Sequence, residues 1–189
     1  LIKQGFSIKK NTAGNRGRLK RNRVPAGAHR TRCSCVIRAW RLAKTRHAAQ
    51  AFSGAGGLSS GGRWHHRGER VVYAASSLAL AALEVFVHLE RAQNDIRWVA
   101  SEVSIPDTVP VITLAPRQLP RDWRREPPPA ATMRIGSAWL RKAGTAVLRV
   151  PSAIVPAESN YILNPAHPEF HQLRIAPPTP FSFDSRMWK

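Results

Sequence analysis

At 189 residues and 43% hydrophobic content, the chain is long enough for one domain with a real core and short for two. It contains no run of about 18 apolar residues to span a bilayer, and its N-terminus lacks the apolar stretch of roughly 7–15 residues that a secretory signal needs. The chain therefore reads as soluble and cytoplasmic, without a membrane partner. A net charge of +19 raises a nucleic-acid reading, but residues 1–36 hold ten Lys or Arg and no acid, and the remainder sets twenty bases against eleven acids.

From Leu1 to Val36 no strand or helix period survives for more than a few residues, so residues 1–36 are expected to form a disordered basic arm or a non-native extension. Such an arm is either a tail for nucleic acid or an acidic partner, or a solvated extension. Cys33 and Cys35 stand too close for an ordinary disulfide and have too few partners for a four-ligand zinc site, which fits a reducing compartment.

The pattern turns globular at Ile37, giving a domain expected over residues 37–189. A short segment Arg38–Ala49 leads into a Gly/Ser-rich turn region, Ser53–Gly62, and a strand-like Val71–Ala74. Ser76 or Ser77 can cap a helix over Leu78–Arg91, closed by Asn94 and Asp95. Trp98–Ile105 alternates as a half-buried strand does, and Pro106 and Pro110 bracket a turn. Residues 115–129 carry five of the fifteen prolines and predict a loop. A helix over Ala130–Ala143, stopped by Gly144, precedes a strand at Thr145–Val150 and short strands at Tyr161–Leu163, Leu173–Ile175 and Phe181–Phe183. Strands outnumber helices without βαβ alternation, so a single mixed α+β domain is expected, not a doubly wound sheet.

Glu84 is the odd residue of the Leu78–Arg91 helix. Its neighbours at helical spacing, Leu80, Ala81, Val87 and His88, make a largely apolar face, where a carboxylate finds a cation, shifts its pKa or serves a site. A structural ion pair, with Arg91 as one candidate, is the plainer alternative. Gly61-Gly62-Arg63-Trp64 places a guanidinium after two flexible residues, where backbone can approach a ligand and Arg63 can grip a diphosphate; a plain surface loop has the same composition. Arg41, after Trp40, is a second candidate anion anchor. His65 and His66 lack an adjacent third ligand, so no metal is expected.

Taken in order, Trp40-Arg41, Phe52 to Gly57, Gly61-Gly62-Arg63-Trp64, Val71-Val72-Tyr73 and Leu78 to Glu84 form a pattern that resembles the RES domain. The match continues through Asp122-Trp123-Arg124, Ile135 to Leu140, Val150-Pro151-Ser152-Ala153, Asn160-Tyr161, Asn164 to Pro168 and Phe183 to Arg186. The resemblance implies a fold similar to the ADP-ribosyltransferases of the diphtheria-toxin type. It implies the toxin of a type II toxin–antitoxin system that degrades NAD, its substrate, by cleaving the nicotinamide–ribose bond, as a glycohydrolase with water or a phosphorylase with inorganic phosphate.

By motif, Arg41 and Arg63 would hold the diphosphate, and Tyr73 would pack on the nicotinamide or its ribose. Glu84 would stabilise the cationic sugar of an oxocarbenium-like transition state, and Ser152 would orient substrate or acceptor. Many members have Asn where this chain has His65, a difference expected at the rim of the site. The implied partner is a cognate helical antitoxin of the Xre type, with nucleic acid reached only through it; a homodimer is compatible. Two alternatives stand: ADP-ribosyl transfer to a protein target, and a basic nucleic-acid-binding protein, for which the arm is the main support and 7% aromatic content supplies no stacking stripe.

Overall fold

The computed structural model describes residues 36–89 and 96–188. The basic arm with Cys33 and Cys35, and Arg91, Asn94 and Asp95, lie outside the described residues. Among the described residues no helix is long and apolar enough to cross a membrane.

The elements in chain order are β1 (Ile37–Lys44), a 3-10 turn (Thr45–Gln50), α1 (Gly56–Ser59), β2 (Val72–Ala75), α2 (Leu78–Phe86), β3 (Trp98–Ile105) and β4 (Val111–Thr113). After them come α3 (Ala130–Lys142), β5 (Val147–Pro151), β6 (Ser159–Leu163), β7 (Arg174–Ile175) and β8 (Thr179–Phe181). The eight strands form one sheet in the order β4-β5-β6-β2-β1-β3-β7, with β8 also on β3. All pairs are antiparallel except β4 with β5. The mixed helix-and-sheet domain, its sheet almost wholly antiparallel, agrees with the α+β expectation drawn from the strand-rich pattern.

Side-chain alternation assigns the two faces. Val72 and Ala74 of β2 join Tyr161 and Leu163 of β6, Val147 of β5 and Val103 and Ile105 of β3 in one buried cluster. The opposite face carries two more. Around α3, Trp139 packs with Trp64, Trp123, Leu148, Val150 and Ile162. Around α2, Leu80 and Ala81 pack with Leu42, Ala75, Trp98 and Ala100.

Several boundaries differ from expectation for local reasons. Arg38–Ala49 is not one short segment but a long strand, paired with β3 from Ile37 to Lys44, followed by the 3-10 turn. In α2, Ser77 caps as expected by accepting from the Leu80 amide, but the helix ends at Phe86: His88 and Leu89 turn back to the carbonyls of Val85 and Phe86 in tighter i to i+3 bonds. α3 stops at Lys142, two residues before Gly144. Ala143 itself takes the left-handed conformation (φ 45°), its amide bonding the Trp139 and Leu140 carbonyls. β4 has no counterpart in the expected elements; three residues between prolines carry too little pattern, and pairing with β5 makes them a strand.

Candidate functional site

A cleft of about 460 Å³ opens between the α2 and α3 clusters, within the range of roughly 300–1,000 Å³ usual for small-molecule sites. Arg41, Arg63, Tyr73, Glu84 and Asn160 line it. They come from β1, the loop before β2, β2 itself, α2 and β6, so residues up to 119 positions apart in sequence meet through the sheet order β6-β2-β1.

Glu84 enters from α2 and is held from behind. The Ser152 hydroxyl donates to its Oε1 at 2.8 Å, and Asn160 Nδ2 donates to the same oxygen at 2.6 Å. Ser152 is 0% exposed, and its Oγ also accepts from the amides of Ile154 and Val155, so the hydroxyl proton has a fixed direction. Ser152, expected from its motif to orient substrate or acceptor, thus lies buried behind the glutamate and outside the cleft lining. Oε2 takes no hydrogen bond among the described residues. Nor does Glu84 form a salt bridge among them; Arg91 lies outside them.

Arg41 projects from β1. Its Nη1 donates to the Tyr73 carbonyl at 2.8 Å, while Nε is buried with no hydrogen-bond partner among the described residues. Burial lowers its pKa to about 10, leaving a cation at neutral pH. A buried guanidinium nitrogen without an acceptor costs free energy that an anionic ligand would offset.

Arg63 reaches the cleft with most of its fork engaged. Nη1 donates to the carbonyls of Trp123 (2.7 Å) and Arg125 (2.9 Å), and Nη2 pairs with Glu126 Oε2 at 3.0 Å. The side chain expected to grip a diphosphate also fastens the loop at residues 123–126 to the cleft wall.

The loop bearing Arg63 is locked to α3. Trp64 is buried, and a Cβ on Gly136 would lie 1.8 Å from the Trp64 carbonyl oxygen, so glycine there permits the contact. The Ser137 hydroxyl, also buried, donates to Glu69 Oε2 and meets His66 Nδ1 at 2.7 Å, and the His66 amide donates to Glu69 Oε2 at 2.9 Å. The glycines of Gly61-Gly62 line the cleft, but Gly62 is constrained from within: a Cβ there would meet His65 Cε1 at 2.8 Å and the Tyr73 hydroxyl at 3.0 Å. His65 is 4% exposed and lies beneath the site, not at the rim as its sequence position suggested.

Tyr73 turns its ring to the cleft from β2 and its hydroxyl inward. The hydroxyl accepts from the Trp64 amide at 3.2 Å and bonds His65 Nδ1 at 2.8 Å. Burial, foremost, raises its pKa, and the phenol stays protonated. Asn160 and His65 carried no role assigned from sequence. Asn160 was findable as an amide at an inward position of an otherwise apolar strand; His65 had no such signal. Among the described residues no group of three metal-ligating side chains occurs.

Comparison with known proteins places the chain in a family. The pattern described as RES domain matches residues 38–184. "Toxin Res" of Yersinia enterocolitica is 38% identical over 149 residues, covering 78% of this chain and 97% of that protein. The "Prs ADP-ribosylating toxin" of a Sphingobium species is 39% identical over 152 residues, covering 78% of this chain and 94% of that one. Among solved structures, a chain of the M. tuberculosis MbcT-MbcA toxin-antitoxin complex superposes with a TM-score of 0.65 at 16% identity, over 79% of this chain and 86% of that one, a likeness of fold. With most of its described length inside the matched pattern and near 40% identity to full-length relatives, the chain belongs to the RES domain family.

Proposed function

We propose that this chain is the toxin of a toxin–antitoxin pair, an enzyme of the ADP-ribosyltransferase type that breaks the nicotinamide–ribose bond of NAD in the cytoplasm. The observation that carries the reading is Glu84: among the described residues its Oε1 is fixed by two donors and its Oε2 receives none, in a cleft that also holds a buried arginine whose Nε has no partner among them. As the C1′–N bond breaks, its electron pair leaves with neutral nicotinamide and the ribose becomes an oxocarbenium-like cation. A carboxylate held in place stabilises that charge without reorganising. Water or inorganic phosphate then bonds to C1′, water giving up a proton to do so.

Arg41 serves the diphosphate through its buried positive charge, and Arg63 contributes its positive charge and its remaining donors. The Tyr73 ring packs on the nicotinamide or ribose. Ser152, with Asn160, acts through Glu84 as a positioning residue. No metal takes part. The names of the Yersinia and Sphingobium relatives support a toxin, and the M. tuberculosis neighbour, solved as a toxin-antitoxin complex, supports a protein antitoxin, here a helical one of the Xre type that covers the cleft. The Sphingobium name also favours a second reading, ADP-ribosyl transfer to a protein side chain in place of the small acceptor.

Purified protein incubated with NAD, with and without phosphate, distinguishes these readings by product: ADP-ribose, its 1-phosphate, or a modified protein. Glu84→Gln is expected to fold and to lose turnover. An intact NAD pool together with salt-sensitive DNA binding sinks the proposal.

A further inference from the structure

His65 is enclosed, polar and unused by the chemistry above. Its ring sits in a slot left by two glycines: a Cβ on Gly57 would come within 3.1 Å of His65 Nε2, and one on Gly62 within 2.8 Å of Cε1. The backbone closes the slot, the Gly62 amide donating to the His65 carbonyl at 3.1 Å.

Two contacts fix the tautomer. Nε2 lies 3.1 Å from the Ser60 carbonyl oxygen, which can only accept, so Nε2 carries the proton. Nδ1, 2.8 Å from the Tyr73 hydroxyl, is then a bare acceptor, and the hydroxyl donates to it. The same hydroxyl accepts from the Trp64 amide. The phenol therefore has its proton and one lone pair committed to the protein, and what it offers the cleft is ring surface. The two rings stand 5.5 Å apart at 53°.

We propose that His65 is a positioning residue for Tyr73: by accepting the phenol proton on Nδ1 it fixes the depth and tilt at which the Tyr73 ring meets the substrate. This rests on the reading of the cleft as the NAD site. A ring that packs equally on bound NAD and on the transition state contributes to binding throughout, so its displacement shows in KM and hardly in kcat. The acceptor must stand where Nδ1 stands. Asn puts its carbonyl oxygen near that place, Gln puts its oxygen near Nε2, and Leu fills the slot with no acceptor.

The test measures NAD kinetics for H65N, H65Q, H65L and Y73F, with nitrogen chemical shifts of the His65 imidazole in the unliganded wild type. The expected results are an Nε2–H tautomer, KM within about threefold of wild type for H65N, and KM raised about tenfold or more for H65Q and H65L at nearly unchanged kcat. The Y73F/H65L pair is expected to be no worse than Y73F alone. An Nδ1–H tautomer, equal KM for H65N and H65Q, or a folded H65L with wild-type KM overturns the proposal. If H65L fails to fold, the H65N and H65Q comparison decides. The tautomer is read without NAD, so its failure is distinct from a failure of the NAD reading.

Discussion

Ser152, wholly buried, donates its hydroxyl proton to Glu84 Oε1 across 2.8 Å, and Asn160 donates to the same oxygen from the neighbouring strand. Two donors meeting at one atom are coupled. Ser152→Ala and Asn160→Ala are each expected to slow NAD turnover by about 10-fold or more, with the double mutant less impaired than the product of the two; coupling of roughly 0.5–3 kcal/mol is usual for groups in one network. Ser152→Ala also strips the acceptor from the Ile154 and Val155 amides, at a stability cost of about 1–3 kcal/mol. A four-corner cycle on kcat, with urea unfolding of each variant, checks both. Strict additivity contradicts the shared-oxygen geometry.

Glu126 occupies one edge of the Arg63 fork while its own side chain is 67% exposed. A diphosphate seeking Arg63 competes with it. Glu126→Gln is expected to lower KM for NAD about 2–5-fold and to change stability by less than about 1 kcal/mol, as an exposed ion pair contributes little. A raised KM shows instead that Glu126 shapes the site.

Gly136 on α3 faces the Trp64 carbonyl with no room for a methyl group. Gly136→Ala must push the loop carrying Arg63 off the helix, at an expected cost of about 2–3 kcal/mol or more, against the helix-propensity gain of about 1 kcal/mol. Denaturant unfolding measures the net loss, and a stabilised variant excludes the contact.

Ala143 closes α3 with a positive φ that glycine adopts without penalty. Ala143→Gly is expected to stabilise the protein by roughly 0.5–1 kcal/mol, raising Tm by about 1–4 °C for a domain of this size. Calorimetry suffices to see it.

The pH dependence of stability follows from His65. Burial, foremost, holds its pKa below the ordinary histidine value of 6.5; His66 adds to this, while the Ser60 carbonyl and Glu69 oppose it, and Tyr73 faces Nδ1. The unfolded chain therefore takes up the proton first as pH falls. Its contribution to stability is full above 6.5 and is lost as pH drops from there through the lower folded-state value. His65→Asn should flatten that part of the profile between wild type and variant, measured by urea midpoints against pH.

How much of this was legible in sequence depended on how local each signal was. Trp98–Ile105 alternates and is a strand, and Ser77 caps α2 because the cap needs only three residues. Glu84 stood out because a carboxylate on an apolar stripe demands an explanation. What it demanded lay 68 and 76 residues away, in Ser152 and Asn160, where nothing in the local pattern identifies a hydroxyl or amide as its partner. Gly62 shows the same limit: its composition suggested approach to a ligand, while the atoms that forbid a side chain belong to His65 and Tyr73. Arg63 could be seen as a phosphate anchor, but the carbonyls of Trp123 and Arg125 that engage it follow from a loop whose prolines announced only that it was a loop.

The position of β6 between β5 and β2 has a bearing on how the protein is made. Synthesis delivers Arg41, Tyr73 and Glu84 early, but the strand that joins β2 to β5 begins at Ser159. A ribosome that stalls before that point holds a chain with its arginines and glutamate unassembled. The proposed site can work only once the message has been read past that strand, and a product cut short before it is inert.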